Sequence, residues 1–391
     1  MSKIINLLNT VINLYETSEN KRRQRLWENK EPRIRGEMQW HGIPIGFANK
    51  GDIMPVTVEC LNTIWTKILG FTLDRYYKEP EYYLEYYLKM KIKKFQEFPD
   101  DTPIDFNIPV YFGIVFEPAL LGQKVYFYKT EEPTFAKESI ISETTELPNQ
   151  FDFKNSNFLH FTKNFYEKIK KLVGPSFNVI FPYWYRGPQG VALYTRGFEK
   201  FLIDIFLNPK FAHKIMRYVT DAQKAYAQWR SNYLEEPIKK GDLFNDDIPL
   251  ISPKEYRNFI FPYEEELCDF YNGIYYWHSC GDITQHIPEI IKLKSIELLD
   301  FGVSMEDKEK GLDMLDKEIP IECRILAQRH VQNANSKEME IYMRKIIQES
   351  KKQKIKKYVL RSSGMSTLLG AKKDIKKLSQ WIEITRKLQI E

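Results

Sequence analysis

The chain has 391 residues, 43% of them hydrophobic and 28% charged, a composition typical of a globular protein with one large α/β domain or two ordinary ones. Its 58 basic and 53 acidic residues leave a net charge of only +5, which gives no case for nucleic acid as the main partner. No apolar run reaches the roughly 18 residues that span a membrane, and four scattered cysteines exclude a disulfide framework, so a reducing cytoplasm fits best.

The first hundred residues predict helices and loops. The pattern is helical from Ile4 to about Leu26, lacks a signal-peptide cleavage site, and becomes helical again from Pro80 to Phe98. Pro55 to Cys60 reads as a short strand or as a turn into a helix. We expect residues 1–100 to form an N-terminal extension packed on a catalytic domain formed by residues 101–391.

From Phe177 onward, strand and helix patterns alternate regularly. The six predicted strands, each followed by helical pattern, lie near residues 180, 243, 276, 297, 322 and 359. Two further strands are possible upstream, where 106–116 and 124–128 have strand character. Repeated βα units favour a parallel sheet, and their number and length predict an α/β fold of the closed (β/α)8 TIM barrel type. A doubly wound open sheet is the alternative, but no glycine-rich nucleotide-binding turn supports it.

The stretch Tyr275 to Asp282 carries the clearest chemical signal. It places His278 and Cys280 on alternate residues at the end of a predicted strand, so that both side chains point to the same face. Gly281 would let the backbone turn directly after them. Imidazole and thiolate together suit zinc better than hard cations. The pair can also arise by chance, because a free cysteine is often simply buried.

In a TIM barrel the active site lies at the C-terminal ends of the strands, and several polar or aromatic residues occupy those positions. We interpret Asp247 and Asp300 as catalytic candidates, and the adjacent acids Asp246 and Asp247 could also serve as metal ligands. Helix capping remains open as another role for the acids. Candidates for substrate binding are Asn245, Asp246 and the aromatic loop formed by Tyr183, Trp184 and Tyr185. For the aromatic loop, core packing is an equally open explanation.

Several of these segments together resemble the uroporphyrinogen decarboxylase superfamily, and within it the corrinoid-dependent methyltransferase branch. The resemblance covers roughly residues 175 to 391, and its most specific part is His278-Ser-Cys-Gly281 with Asp300-Phe-Gly302. The weaker parts are Gly187-Pro188, Asn245-Asp-Asp247, Ile251-Ser-Pro253 and Pro262-Tyr263.

This resemblance implies a barrel with a zinc ion held by His278, Cys280 and a later cysteine. It also implies that the metal binds a thiol as the thiolate, which takes a methyl group from a corrinoid (cobalamin) on a partner protein. The chain departs from this pattern, because Ser363 stands where the late cysteine is expected. Cys323, Asp247, Asp300 or a substrate atom are the candidates to complete the metal shell.

The preferred hypothesis is therefore a zinc-dependent methyltransferase that acts between a corrinoid protein and a small-molecule methyl donor or acceptor. One alternative is a metal-free carboxy-lyase similar to uroporphyrinogen decarboxylase, in which Arg33, Arg35 or Arg186 would bind carboxylates. Another is a non-catalytic binding subunit built on a degenerate barrel. The metal content of the purified protein separates the first hypothesis from the other two.

Overall fold

The structure of the chain is a computed structural model. It describes residues 2–27, 53–148, 151, 153, 156–302, 308–315, 319–355, 358–365 and 369–391, and Arg33 and Arg35 lie outside these ranges.

The described strands form one large parallel sheet, a parallel pair and a small hairpin. They are β1 Val56–Cys60, β2 Asn107–Pro109, β3 Val125–Tyr126, β4 Thr134–Phe135, β5 Asn178–Ile180, β6 Gly241–Phe244, β7 Ile274–His278, β8 Ile296–Phe301, β9 Ile321–Leu326 and β10 Tyr358–Met365. The large sheet has the order β1-β10-β9-β8-β7-β6, and β2 pairs with β5. A parallel bridge between Arg186 and Phe244 continues β5 towards β6.

Within the described residues, eight strands therefore run parallel around a common interior, and the predicted α/β fold of the TIM barrel type is confirmed. The six predicted downstream strands are all present. Upstream, the barrel strands are β1 and β2. The predicted strand at 124–128 instead forms the antiparallel β3–β4 hairpin. Strand β1 pairs with β10 through Val56 and Leu360, so the first barrel strand lies inside the segment predicted as the N-terminal extension.

Two adjacent acids close the free edge of β1. Asp101 Oδ2 accepts a hydrogen bond from Val56 N–H at 2.9 Å, and Asp100 Oδ2 accepts one from Val58 N–H at 3.0 Å. Both carboxylates are buried. Because an unpaired strand edge in the interior would leave backbone donors unsatisfied, these side chains do what a neighbouring strand does elsewhere in the barrel.

Helices surround the strands and follow most of them. The α-helices are Ser2–Tyr15, Ser18–Gln24, Asn62–Leu69, Leu73–Lys78, Pro80–Glu97, Phe116–Leu120, Asn157–Val173, Pro188–Arg196, Phe198–Leu207, Pro209–Leu234, Pro253–Glu255, Phe261–Phe270, Ile287–Ile290, Lys308–Asp313, Ser336–Lys352 and Ala371–Ile390. Shorter helical turns are Gly113–Val115, Ile248–Leu250, Tyr256–Ile260 and Gln328–Gln332. None of the helices in the described ranges combines the length and the apolar character that crossing a membrane requires.

Local sequence explains two of these boundaries. Ser252 caps the helix that starts at Pro253, because its Oγ accepts a hydrogen bond from Glu255 N–H at 3.3 Å. The helical pattern predicted to follow β7 forms a helix only over Ile287–Ile290. Asp282 Oδ1 accepts from Thr284 N–H and makes a local turn in the preceding segment, so the loop after β7 is longer than predicted.

The two faces of the barrel strands differ in chemistry. On β9, Ile321, Cys323 and Ile325 belong to the apolar core between the strands and the helices. Their neighbours Glu322 and Arg324 alternate with them and therefore point into the barrel. The apolar face is the main source of stability, since each fully buried aliphatic side chain contributes about 1.5–3 kcal/mol. The polar face positions the site described next.

Candidate metal centre

Strand β7 brings two metal-binding side chains to the C-terminal mouth of the barrel. His278 is the last residue of the strand, Cys280 follows two positions later, and His278 Nε2 lies 3.5 Å from Cys280 Sγ. Asn245 N–H donates a hydrogen bond to the His278 carbonyl at 2.7 Å, which holds the ends of β6 and β7 together. The structure thus brings the two residues together as the alternation predicts.

The loop after Cys280 is held by close backbone packing. A side-chain carbon at Gly281 would lie 2.2 Å from Pro249 Cγ, and one at Gly302 would lie 2.0 Å from the Gly281 carbonyl oxygen. Gly281 is not among the glycines with positive φ. Glycine is needed there because of the close approach rather than the sharp turn that the sequence suggested.

Asp246 is the third member of the group. Its Oδ1 lies 3.1 Å from His278 Nε2 and accepts a hydrogen bond from Cys280 N–H at 2.9 Å. Among the described residues, one ligand atom from each of Asp246, His278 and Cys280 lies within 4.8 Å of the others. A nitrogen, a sulfur and a carboxylate oxygen are ligand types that zinc uses in proteins, and at this spacing they could share one ion.

Asp300 on β8 supports the histidine from behind. Its Oδ2 accepts a hydrogen bond from His278 Nδ1–H, and Asp300 is fully buried. A carboxylate on Nδ1 fixes the orientation of the ring, so that Nε2 would become the ligand atom once a metal displaces its proton. The residues present therefore fit zinc in both their ligand atoms and their support.

Arg324 on β9 reaches the same group from two strands away. Its Nη1 lies 3.1 Å from Asp300 Oδ2, 3.4 Å from His278 Nε2 and 3.6 Å from Cys280 Sγ. Its Nη2 donates to Glu59 Oε2 on β1 at 3.2 Å. Its Nε donates to Ser363 Oγ on β10 at 3.0 Å. One buried guanidinium therefore connects four neighbouring strands to the metal-binding pair.

A second ion pair lies deeper in the barrel. Arg361 Nη2 is 2.8 Å from Glu322 Oε2, and Tyr276 O–H donates to Glu322 Oε1 at 3.1 Å. Burial raises the pKa of Glu322 to about 7, although the Arg361 charge acts in the opposite direction. The interior of this side of the barrel is thus a network of ions rather than an apolar core.

The charges at the site shift the pKa values of its members. Burial alone would lower the pKa of His278, but the neighbouring Cys280, Asp300 and Asp246 raise it well above its usual value. Burial alone would raise the pKa of Asp246, but the charges of His278 and Arg186 bring it below the usual range. Burial also opposes the charge on Arg324, but Asp300 and other anions raise its pKa, so it stays charged.

Arg186 lies beside the two predicted acids of the β6 loop. Its Nη2 is 3.4 Å from Asp246 Oδ2 and its Nη1 is 3.5 Å from Asp247 Oδ2. Burial raises the pKa of Asp247 to about 6, with Arg186 lowering it and Asp246 raising it. Asp247 is therefore an acid that changes charge near neutral pH, next to Asp246.

Asn245 connects the loop after β6 to a buried carboxyl group, and its role in substrate binding stays a prediction. Its Nδ2 donates to Glu264 Oε1 at 2.8 Å, and Tyr256 and Trp277 donate to Glu264 Oε2. Burial raises the pKa of Glu264 to about 7. A side-chain carbon at Gly187 would lie 1.9 Å from Asn245 Oδ1, so the Gly187-Pro188 turn also packs against this residue.

The three aromatic residues predicted to bind substrate point to different surroundings. Tyr183 packs under the guanidinium of Arg230, whose Cζ is 3.7 Å from the ring centre. Trp184 is buried and its Nε1 donates to Arg186 O at 3.1 Å. Tyr185 lies in the barrel interior, where its ring centre is 4.9 Å from that of Phe244. The structure therefore does not gather them into one surface, and their role in binding stays a prediction.

Cys323, predicted as a metal ligand, lies on the outer face of β9 in the apolar core. Arg324, the next residue, points inward to the site, so the alternation of the strand directs the Cys323 side chain away from it. The third potential ligand atom beside His278 and Cys280 belongs to Asp246 instead. Ser363, which stands where the resemblance implies a cysteine, accepts the Arg324 hydrogen bond and is fully buried.

Sequence reasoning missed Glu59, Glu264 and Arg324. A signal for Arg324 was present, because Glu322 and Arg324 alternate with apolar residues in a strand that a parallel barrel buries on both faces. No local signal distinguishes Glu59 or Glu264, since their roles depend on contacts with residues distant in the sequence.

Comparisons with known proteins agree with this architecture. Residues 73–374 match the family model described as Uroporphyrinogen decarboxylase (URO-D). A protein named uroporphyrinogen decarboxylase from Campylobacter hominis is 23% identical over 262 residues, which are 62% of this chain and 68% of that protein. A solved structure, a methyltransferase from Methanosarcina mazei, is similar with a TM-score of 0.56 and 13% identity, covering 82% of this chain and 90% of its own. At that identity the likeness concerns the fold.

Proposed function

The chain belongs to the uroporphyrinogen decarboxylase family, and from this premise we propose that it is a zinc-dependent methyltransferase of the corrinoid-dependent branch. It would move a methyl group between a corrinoid carried by a partner protein and a small-molecule thiol acceptor or methyl donor. The single observation that carries the proposal is the convergence of Asp246, His278 and Cys280 at the mouth of the barrel.

The ligand atoms are those of a zinc site, with His278 Nε2, Cys280 Sγ and Asp246 Oδ1 as the protein ligands. Three protein ligands leave one position of a tetrahedral ion open, as in catalytic rather than structural zinc sites. When bound, zinc would hold a substrate thiol as the thiolate, which is the nucleophilic form in methyl transfer. A serine at 363 does not exclude this arrangement, because the third ligand would come from Asp246 in the loop after β6.

The surrounding residues of the chain hold these ligands for the reaction. Asp300 keeps the His278 proton on Nδ1, so that Nε2 remains a ligand atom. Cys280 N–H orients the Asp246 carboxylate. Asp247, with a pKa of about 6, is the group that we propose to accept the proton released by the incoming thiol. Asp300 thus acts through His278, while Asp247 would act on the substrate.

The alternative reaction, decarboxylation of a polycarboxylate, is supported by the name of the curated relative. It needs cationic side chains that are available to the substrate. The described arginines of the barrel are instead paired with acids: Arg324 with Glu59 and Asp300, Arg361 with Glu322, and Arg186 with Asp246 and Asp247. This pairing and the three-ligand group favour the methyltransferase.

Metal analysis of the purified protein tests the proposal. In protein equilibrated with zinc we expect about one ion per chain, lost in Cys280→Ser and in His278→Ala and weakened in Asp246→Asn, because each change removes one of three ligands. Cys268→Ser is the matched control, since Cys268 is a buried free cysteine of the apolar core. Zinc retained in Cys280→Ser to the same extent as in Cys268→Ser would contradict the site.

A methyl-transfer assay tests the activity. The zinc-loaded protein should convert a methylated corrinoid to its demethylated form in the presence of a small thiol, with the change in corrinoid absorbance as the measurement. Cys280→Ser should abolish this reaction and Cys268→Ser should leave it intact. A zinc-loaded wild type that decarboxylates a polycarboxylate but leaves the methyl-corrinoid unchanged would replace the proposal by the lyase.

A further inference from the structure

Arg324 occupies an unusual place for a cationic side chain. Its Nη1 lies within 3.6 Å of both His278 Nε2 and Cys280 Sγ, two of the atoms that would hold a metal ion. Arg324 is only 4% exposed, so water screens its charge poorly. A permanent positive charge is therefore built into the wall of a site whose ligands select a divalent cation.

An ion at this site would lie close to that charge. Zinc is bound about 2.0–2.3 Å from nitrogen and sulfur ligands. An ion on His278 Nε2 and Cys280 Sγ would therefore lie within about 6 Å of Arg324 Nη1. Charges of the same sign at such a distance repel each other strongly in a poorly hydrated interior. The repulsion is offset only in part by Glu59 and Asp300, the two carboxylates that bind the guanidinium.

The same contacts show what Arg324 does without an ion. It donates to Ser363 on β10, to Glu59 on β1 and to Asp300 on β8, and it contacts His278 on β7. Without a positive charge among them, the buried carboxylates would repel one another and their burial would be costly. The guanidinium thus does for the acids part of what a metal ion would do.

We propose that Arg324 is a built-in cation of the site, which holds the ligand-bearing strands together without metal and keeps the affinity for a divalent cation low. The inference rests on the proposed metal site and adds a property to it. The barrel mouth folds in the absence of zinc, and zinc is exchanged rather than permanently retained. Arg324 is a positioning residue in this account, because it acts on the ligands and not on the substrate.

Variants that change one charge at a time test this inference. Arg324→Gln removes the positive charge but keeps hydrogen-bonding capacity, and it should bind zinc about tenfold or more tightly than the wild type. Arg324→Lys loses the fork-shaped geometry but keeps the charge, so its affinity should stay close to that of the wild type. Glu59→Gln removes one of the negative charges that offset the guanidinium. It should therefore weaken zinc binding, the opposite of the effect of Arg324→Gln.

Arg361→Gln is the matched control. Arg361 is also a buried arginine in the barrel with a carboxylate partner, but that partner is Glu322 in the deeper ion pair. Its loss should destabilise the fold while zinc affinity changes by less than about threefold, because Glu322 then keeps a proton and the local charge is preserved. Affinity is measured by zinc titration against a chromophoric chelator.

Thermal unfolding gives a second measurement that does not depend on activity. At the same zinc concentration, zinc should raise the unfolding temperature of the wild type less than that of Arg324→Gln, which should be destabilised in the chelator and restored by zinc. Equal zinc affinities of Arg324→Gln and Arg324→Lys would overturn the inference while leaving the metal site intact. Absence of zinc binding in both the wild type and Arg324→Gln would overturn the metal site as well.

Discussion

The interior of the barrel has two halves with different chemistry. The charged half consists of Glu59, Asp300, Glu322, Arg324 and Arg361, on β1, β8, β9 and β10. The aromatic half consists of Tyr111, Tyr185, Phe244 and Tyr276, after β2 and β5 and on β6 and β7. His278 lies between them, with its ring centre 4.6 Å from that of Phe244 and its nitrogens against Asp300 and Arg324.

The difference indicates that the aromatic half mainly stabilises the barrel, whereas the charged half mainly serves the site. Aromatic rings stabilise the interior by burial and ring contacts without the desolvation cost of a buried charge. Buried ion pairs pay a desolvation cost, and apolar side chains of similar size often stabilise a protein as well or better. The charged half lies beside the proposed metal ligands, so we interpret it as serving the site rather than stability.

The largest expected effect comes from breaking the deeper ion pair of the charged half. Arg361→Met leaves Glu322 buried without its ion partner, and we expect a loss of about 3–5 kcal/mol in the free energy of unfolding at pH 8. The loss should shrink towards pH 6, because Glu322, whose pKa is already about 7, then takes up a proton in the folded state. Urea unfolding at the two pH values measures both.

The sign follows from proton linkage. A carboxyl group with a folded-state pKa above its unfolded value binds more protons when folded, so stability falls as pH rises from about 4.5 through the folded pKa. In Arg361→Met the folded pKa of Glu322 rises further, which widens that window. Arg361→Lys is the control, as it keeps the charge and should show a weaker dependence. A loss of stability that is equal at pH 6 and pH 8 would contradict the assignment.

The next prediction concerns the aromatic half. Phe244→Leu removes ring contacts to Tyr185 and His278, and we expect a loss of about 1–2 kcal/mol with zinc affinity within about twofold of the wild type. Phe181→Leu is the matched control, because Phe181 is a buried ring of the outer core. A large loss of zinc affinity in Phe244→Leu but not in Phe181→Leu would show that the aromatic half also orients His278.

The barrel strands were largely predictable from the sequence because each is a short apolar run followed by helical pattern. Strand β1 was harder to place, since its partner β10 lies about 300 residues away and Val56 pairs with Leu360. Nothing local to residues 56–60 shows that they close a barrel. The boundary of an N-terminal extension therefore could not be read from residues 1–100 alone.

The candidate site was predictable in part. His278 and Cys280 were identified because two residues on one strand share a face, a property that depends only on local geometry. Which of the two acids, Asp246 or Asp247, lies beside His278 and Cys280 could not be predicted. It depends on how the loop after β6 folds so that Asp246 accepts the hydrogen bond from Cys280 N–H. Arg324 acts through contacts with four other strands. The sequence alternation of β9 indicates only that its side chain points into the barrel.

The smallest expected effect distinguishes the outer face of β9 from its inner face. Cys323→Ala removes a fully buried sulfur from the apolar core, so we expect a loss of about 1 kcal/mol and an unchanged zinc content. Cys280→Ala is the matched change at the site. It should lose zinc, but the metal-free variant should lose little stability, because Cys280 is partly exposed. Atomic absorption and urea unfolding of the two variants measure this contrast. Zinc lost from Cys323→Ala would place that thiol among the ligands. The assignment of the Arg324 face of β9 to the site and of the Cys323 face to the apolar core would then be wrong.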